Sequence, residues 1–480
     1  MGALRFAAPI VGVGLVSLIV GGGGCGGSDP ESGFGDFDSG ASGSSGASSG
    51  DLSSSGFSSS GAADAERPCV GLECDRVNCG SQPPTSVSGV VYDPAGKTPL
   101  YNVIVYIPND KTAPLDPIKT GASCDQCGAT IKNAVSTALT NTKGEFTLTN
   151  VPVGQDIPLV VQVGKWRRKI VIPKIAQCTD TKVTDTTKPA DQREPRLPRN
   201  KTEGDIPQMA VVTGGCDPMA CLFRRIGLDA SEFTAPTGTG RMHVYKGVGG
   251  GDVTGGGAKA PQNDLWNSAA NLAKYDIVLL SCECGEENGT KSAAQKDLMR
   301  DFLNAGGRVF ATHYHYTWFS NGPADVKSIA NWAPDTIGDP TSGQVTLDTS
   351  FPKGKALSEW LAYTAPGSVV SDRVNFTELR TDLTTVNASA TRWVHGPPGE
   401  KVKYLTFNAP VGKKPEEQCG RGVFSDIHVS GTRGDATTVP STCQVNDNTP
   451  QEKALEFLFF DLSSCVQDDK QPPQPPKGPN

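Results

Sequence analysis

Three buried-strand runs, the continuous apolar one at residues 209–213 and those at 275–281 and 308–312, constrain the fold of this chain more than any other feature. A strand buried on both faces reads as an unbroken apolar run, whereas a half-exposed strand alternates. Helical patterns separate the runs, at 218–226 and 266–273, then at 293–304, where Gly306-Gly307 closes the helix. Strands alternating with helices imply a mostly parallel sheet covered on both faces, placing an α/β region over 206–466. Later strands at 404–408 and 422–426 and a helix at 450–462 belong to it. The tail 467–480 is Pro-rich and reads as disordered.

Residues 85–180 follow another rule. Short runs of β-branched and aromatic residues at 87–92, 103–107, 145–148, 159–163 and 169–172 are punctuated by turn pairs such as Asp93-Pro94, Ala95-Gly96 and Lys143-Gly144. That pattern predicts a small all-β sandwich. Trp166, Arg167, Arg168 and Lys169 form a candidate exposed contact strip, with burial as the alternative. Residues 181–205, with Pro189, Pro195 and Pro198, read as a linker.

The N-terminus speaks of location. Arg5, the largely apolar run 6–20 and Gly21 to Gly24 lead into Cys25, the layout of a bacterial lipoprotein signal with Cys25 as the lipidated residue. The run is shorter than the roughly 20 residues a membrane-spanning helix needs. Gly22 stands where such signals usually carry Leu, so an ordinary secretory signal is the alternative; either form exports the chain. Residues 26–66 are rich in Gly, Ser and Ala and read as a disordered tether with an r.m.s. span of roughly 35 Å. Their seven acids, Asp29, Glu31, Asp36, Asp38, Asp51, Asp64 and Glu66, match the formal net charge of −7. The remainder is near neutral with no basic patch, which excludes nucleic acid as an expected partner.

Thirteen cysteines follow Cys25: Cys69, Cys74 and Cys79 in a Cys-rich segment at 67–84, then Cys124, Cys127, Cys178, Cys216, Cys221, Cys282, Cys284, Cys419, Cys443 and Cys465. In an exported chain most should form disulfides, and an odd number leaves at least one unpaired or bonded to another chain. Cys124 and Cys127 have no second pair nearby to complete a zinc site. Pairing of Cys178 with one of them is the expectation.

Two resemblances add to this reading. SGVVYDPAGKTPLYNVIVYI and TALTNTKGEFTLTNVPVG resemble the carboxypeptidase regulatory-like domain at Gly89, Pro99, Leu100, Val103, Gly144, Phe146, Leu148, Val151, Pro152 and Gly154. An insertion near 108–137 carries Cys124 and Cys127. That resemblance implies a non-catalytic seven-stranded sandwich, Ig/prealbumin-like, of a carbohydrate-binding-like class. MAVVTGG, YDIVLLSCECGE, LMRDFLNAGGRVFATHYH, YLTFNAP and GRGVFSDIH resemble the class I glutamine-amidotransferase-like fold, on its ThuA-like (trehalose-utilisation) branch. Thr213, Gly214, Gly306, Gly307, His313, Gly420, Arg421, Phe424 and His428 occupy the motif positions, the last motif being one residue shorter than usual. The implied fold class is multidomain: that sandwich plus a flavodoxin-like α/β domain with a mostly parallel sheet.

In a glutamine amidotransferase the turn after the 308–312 strand presents a cysteine; here it reads His313-Tyr314-His315, so thiol acyl transfer on that template fails. Cys282 and Cys284 are read as disulfide partners. Of five histidines, His313, His315 and His428 stand at carboxyl ends of expected strands, where open α/β sheets place ligands. Alternation along an extended segment would point His313 and His315 one way. With His428 and a carboxylate from Glu283, Glu286 or Asp426 they could hold Zn²⁺, or act without metal as acid and base. Incidental core histidines are the plainer alternative. Tyr314, Tyr316, Trp318 and Phe319, with Glu283, suit a saccharide cleft or else a core. The Gly-rich 247–257 lacks a phosphate-loop ending and reads as a mobile loop, and no Gly-x-Ser-x-Gly elbow occurs. Three functions are expected: a lipid-anchored envelope protein, at the outer membrane, cell surface or periplasm, that binds saccharide or envelope polymer without turnover; a hydrolase or isomerase of sugar-derived substrates; or a structural envelope protein.

Overall fold

Seven short strands and then a wider sheet share their side chains among packed cores. The structure, a computed structural model, describes residues 68–255, 260–334, 341–397, 399–429 and 437–476. The signal, Cys25 and the tether lie outside the described residues. From Arg67 onward the chain forms one compact unit.

The first seven strands are β1 (Ser86–Val90), β2 (Ile104–Pro108), β3 (Ala134–Leu139), β4 (Glu145–Thr149), β5 (Gly154–Val163), β6 (Trp166–Ile175) and β7 (Asp180–Lys182). They form two sheets, β4-β1-β7 and β3-β2-β5-β6. Period-2 alternation is cleanest in β4, where Phe146 and Leu148 point inward between exposed neighbours.

The second region begins with β8 (Met209–Thr213), β9 (Phe233–Thr234), β10 (Met242–Lys246), β11 (Asp252–Val253), β12 (Ile277–Leu280), β13 (Arg308–Thr312) and β14 (Ala330–Trp332). It continues with β15 (Thr341–Leu347), β16 (Arg373–Leu379), β17 (Leu383–Val386), β18 (Ala390–Gly396), β19 (Lys401–Ala409), β20 (Gly420–Ser425) and β21 (Thr438–Val439). Ten of these make one sheet, in the order β16-β15-β18-β19-β20-β13-β12-β8-β10-β9. From β20 to β9 neighbours run parallel. From β20 to β16 they run antiparallel. The sheet is therefore mixed rather than mostly parallel, because the chain after β15 returns beside itself instead of crossing over through a helix at every step.

The buried runs serve two cores. Val211, Leu279 and Phe310 face one, together with Phe223, Leu455 and Phe459. Ala210, Val212, Val278 and Leu280 face the other, with Trp266, Met299, Phe302 and Trp318. The helix Ala293–Asn304 starts on a capping box between Ser292 and Gln295. The helix Pro450–Ser463 starts on one between Thr449 and Glu452.

That last helix joins the two regions. Phe459 meets Trp166 of β6 edge-on at 6.4 Å and Phe223 at 4.6 Å. Tyr101 stacks on Phe457 at 5.6 Å. Trp166 is thus core rather than a contact strip, and Arg167 and Arg168 are held by Asp205 and Glu194. Cys124–Cys419 and Cys127–Cys465 tie the sandwich insertion to the α/β region, while Cys178 bonds Cys79. The expected pairing of Cys178 with Cys124 or Cys127 is corrected: the insertion reaches across instead of folding back. It comes so close that a side chain at Gly306, whose φ is +105°, would meet the Ser123 carbonyl oxygen at 2.2 Å.

Two segments expected to be loose carry buried anchors. Within 181–205, Arg196 and Leu197 are buried and Arg196 pairs with Glu203 at 2.8 Å. In the tail, Asp469 is buried against Arg421 and Lys353, at 2.8 and 3.2 Å. The Gly-rich stretch is anchored as well, since Gly247 donates its N–H to the Thr213 carbonyl and β11 pairs with β21.

Candidate functional site

Cys282, His313 and His428 follow β12, β13 and β20, three adjacent parallel strands, and so meet at the carboxyl edge of the sheet. One ligand-type atom from each lies within 4.8 Å of the others. Cys282 Sγ is 3.2 Å from His313 Nδ1, and the two imidazole centroids are 5.3 Å apart. All three side chains are buried. Neither ring nitrogen of His428 has a hydrogen-bond partner.

Each position has a local cause. His313 turns the chain from strand into a short 3-10 turn with φ at +40°, a left-handed conformation costly for a residue with a Cβ. The Cys282 N–H donates to Thr312 Oγ1 at 3.0 Å, and that hydroxyl donates to Asp217 at 2.9 Å. Asp217 also accepts the Val429 N–H at 3.0 Å, which fixes the backbone beside His428. Asp382 stands on the far side of His313, 4.0 Å from Nε2. Its own N–H donates to Asp426 at 2.8 Å. Lys403, buried behind them, donates to Thr381 Oγ1 at 2.8 Å.

Burial sets the protonation states. It pushes the Cys282 thiol up to about 12. Burial, then Arg380 and His315, push His313 down to about 3. His428 is lowered by burial, His313 and Arg380. Asp382 is raised by burial and by the Asp426 charge beside it. Burial lifts Asp217 to about 7. The Cys–His pair therefore stands as neutral thiol and neutral imidazole, unlike the low-pKa thiolate of an activated nucleophile.

His315 does not join this cluster. Residues His313–Tyr316 form a 3-10 turn rather than an extended segment, so positions two apart point about 120° away from each other. His315 Nε2 donates to the Ser281 carbonyl at 2.9 Å, and Nδ1 accepts from Trp318 Nε1 at 3.1 Å. Glu283 lies 3.8 Å from His315, where a fully buried bond to Lys291 at 2.7 Å and the Val248 N–H at 3.0 Å hold it. Trp318 is buried edge-on against Trp266 at 4.9 Å. Tyr316 is buried and donates to Glu286. Of the expected saccharide platform only Tyr314 is partly open, its ring centroid 4.0 Å from that of His313.

Sequence reasoning set Cys282 aside as a disulfide partner. Cys216–Cys284 is the bond that forms, and among the described residues Cys282 is the free cysteine. The available signal was position: Cys282 ends its buried strand just as His313 ends the next. Asp217 and Asp382 carried no comparable signal.

A second feature is open to solvent. A cleft of about 610 Å³ between the sandwich and the α/β region is lined by Tyr92, Lys97, Arg193, Tyr363, Asn446 and Lys453, among others. Tyr363 is 50% exposed, with Lys143 5.8 Å from its ring centre. Arg193 lies 5.7 Å from the ring centre of Tyr92. Lys97 pairs with Asp447 at 2.6 Å.

No family model and no curated protein matches the chain. Among solved structures it is similar to a ThuA-like protein from Bacteroides uniformis, at 8% identity, 52% of this chain, 89% of that one and a TM-score of 0.30. It is also similar to a cohesin–X-dockerin complex from Acetivibrio cellulolyticus, at 15% identity and a TM-score of 0.13. That match covers 20% of this chain, which spans about half (51%) of the other.

Proposed function

We propose that the chain is an exported, envelope-tethered recognition protein that binds an acidic saccharide or other anionic envelope polymer without converting it. The observation that carries this reading is the open cleft, where half-exposed Tyr363 stands with Arg193, Lys453 and the Asp447-paired Lys97, while Lys143 lies 5.8 Å from its ring centre. A sugar ring lays its C–H face on an aromatic ring, and a rim of cations draws acidic groups to it. Six disulfides among the described residues suit an oxidising compartment. No helix among them is long and apolar enough to cross a membrane, and the anchor of this reading is a lipid on Cys25.

The finer fold assignment belongs to the same proposal. Seven strands in two sheets support the carboxypeptidase regulatory-like, Ig/prealbumin-like reading of 85–180. The order β10-β8-β12-β13-β20 supports a flavodoxin-like, ThuA-like reading of 206–466, since it places the second strand outside the first. Hydrolysis or isomerisation through His313, His315 and His428 would need His315 released from Ser281 and Trp318.

The test exposes residues 67–480 to a panel of acidic and neutral oligosaccharides, with mass spectrometry reading bound ligand and altered product. Acidic members should bind and leave unchanged. Altered product that vanishes in His313→Ala would replace this reading by an enzymatic one, and absence of binding would end it.

A further inference from the structure

The cleft leaves the buried cluster at the sheet edge without a role. We propose that Cys282, His313 and His428 form a transition-metal site, occupied by Zn²⁺. The set is a thiolate and two imidazoles, ligand types that zinc takes from proteins. Three observations converge on it. The ligand atoms lie within 4.8 Å of one another, against the roughly 3.3–3.6 Å edges of a tetrahedral zinc with bonds of about 2.0–2.3 Å. An inward movement of about 1 Å closes that difference. His428 is 1% exposed, and both its ring nitrogens lack partners although a buried imidazole ordinarily finds one. Cys282 stays a thiol while the other twelve described cysteines are disulfide-bonded.

The surroundings fit a ligated histidine. Nδ1 of His313 faces Cys282, which leaves Nε2 toward Asp382 at 4.0 Å. Metal-binding histidines commonly place a carboxylate on the nitrogen that does not bind, which orients the ring and raises its basicity. Arg380 opposes a cation here, but Glu378 lies 3.6 Å from it. The left-handed backbone at His313 aims its ring at the cluster, the kind of strain that functional positions retain. On binding, the Cys282 S–H proton goes to solvent, a sulfur–metal bond forms, and no oxidant or reductant is required. The same three ligands also suit copper, so the metals are compared directly.

The experiment strips residues 67–480 with a chelator and titrates Zn²⁺, Cu²⁺ and Co²⁺ against a chromophoric competitor. The expected result is one Zn²⁺ per chain, one proton released on binding, and a sulfur-to-metal charge-transfer band with Co²⁺. Cys282→Ser should abolish the band and weaken Zn²⁺ binding by about 100-fold, and Asp382→Asn should weaken it roughly 10-fold. His395→Ala, beside Glu400, should leave all readouts unchanged. Zn²⁺ should raise the melting temperature of the parent chain but not of Cys282→Ser, a readout that also confirms both are folded. A Co²⁺ complex with the weak d–d absorption of a six-coordinate ion, instead of the stronger bands of a tetrahedral one, would overturn the choice of zinc. No stoichiometric uptake, or uptake indifferent to Cys282→Ser, would overturn the site.

Discussion

Replacing Phe459 by Ala should loosen both regions of the unit together. Phe459 is 2% exposed, and its ring meets Phe223 at 4.6 Å, Phe460 at 5.4 Å and Trp166 at 6.4 Å. Trp166 belongs to the sandwich and Phe223 to the α/β region, so the void would open where the two share one core. Truncating a buried Phe to Ala costs about 3–5 kcal/mol through lost transfer energy and the remaining cavity. At about 1.4 kcal/mol per decade, the folding constant should fall roughly 10²- to 10⁴-fold. Urea unfolding with all disulfides intact gives the size of the effect. Hydrogen exchange resolved by segment shows where protection is lost. Protection should drop in β5 and β6 as well as in β8 and β12. A loss below about 1 kcal/mol, or one confined to one region, would refute the shared core.

Other consequences are separately checkable. Asp469→Ala should cost about 3–5 kcal/mol by chemical denaturation, because it leaves Arg421 and Lys353 buried with Asp461 as their remaining carboxylate. Ending the chain at residue 466 should do at least as much. Asp93 is buried and accepts the N–H groups of Lys97 and Thr98; burial first, against those bonds, raises its carboxyl to about 7. Glu456 is raised by burial and by the Asp93 charge. Both groups hold protons more tightly when folded, so their stabilising effect is full below the usual carboxylate range and fades as pH climbs toward 7. Asp93→Asn keeps an acceptor for both N–H groups. It should flatten the fall in melting temperature between pH 4 and 7, which for Asp93 alone is worth on the order of 4 kcal/mol; an unchanged pH profile would contradict the assignment.

Legibility followed burial. Buried-strand patterns marked β8 and β13 at their observed bounds, and the helical pattern closed by Gly306-Gly307 marked the helix Ala293–Asn304. The antiparallel half gave weaker signals: β15 reads TSGQVTL and buries only Val345 and Leu347. Cysteine parity told that one thiol stays unpaired but not which, since Cys124 and Cys419 are 295 residues apart and only the fold brings them together. His315 was misplaced because an extended segment was assumed where the chain makes a 3-10 turn. The cleft around Tyr363 had no linear pattern at all, its walls coming from the sandwich, the helix Pro352–Thr364 and the segment before the last helix.

The most direct measurement is an equilibrium titration of an acidic oligosaccharide from the panel into residues 67–480 and into Tyr363→Ala. Recognition by the cleft predicts affinity that falls at least 10-fold in the variant and weakens as salt rises, since the rim cations are exposed to screening. Equal affinity for both chains, independent of salt, would contradict it.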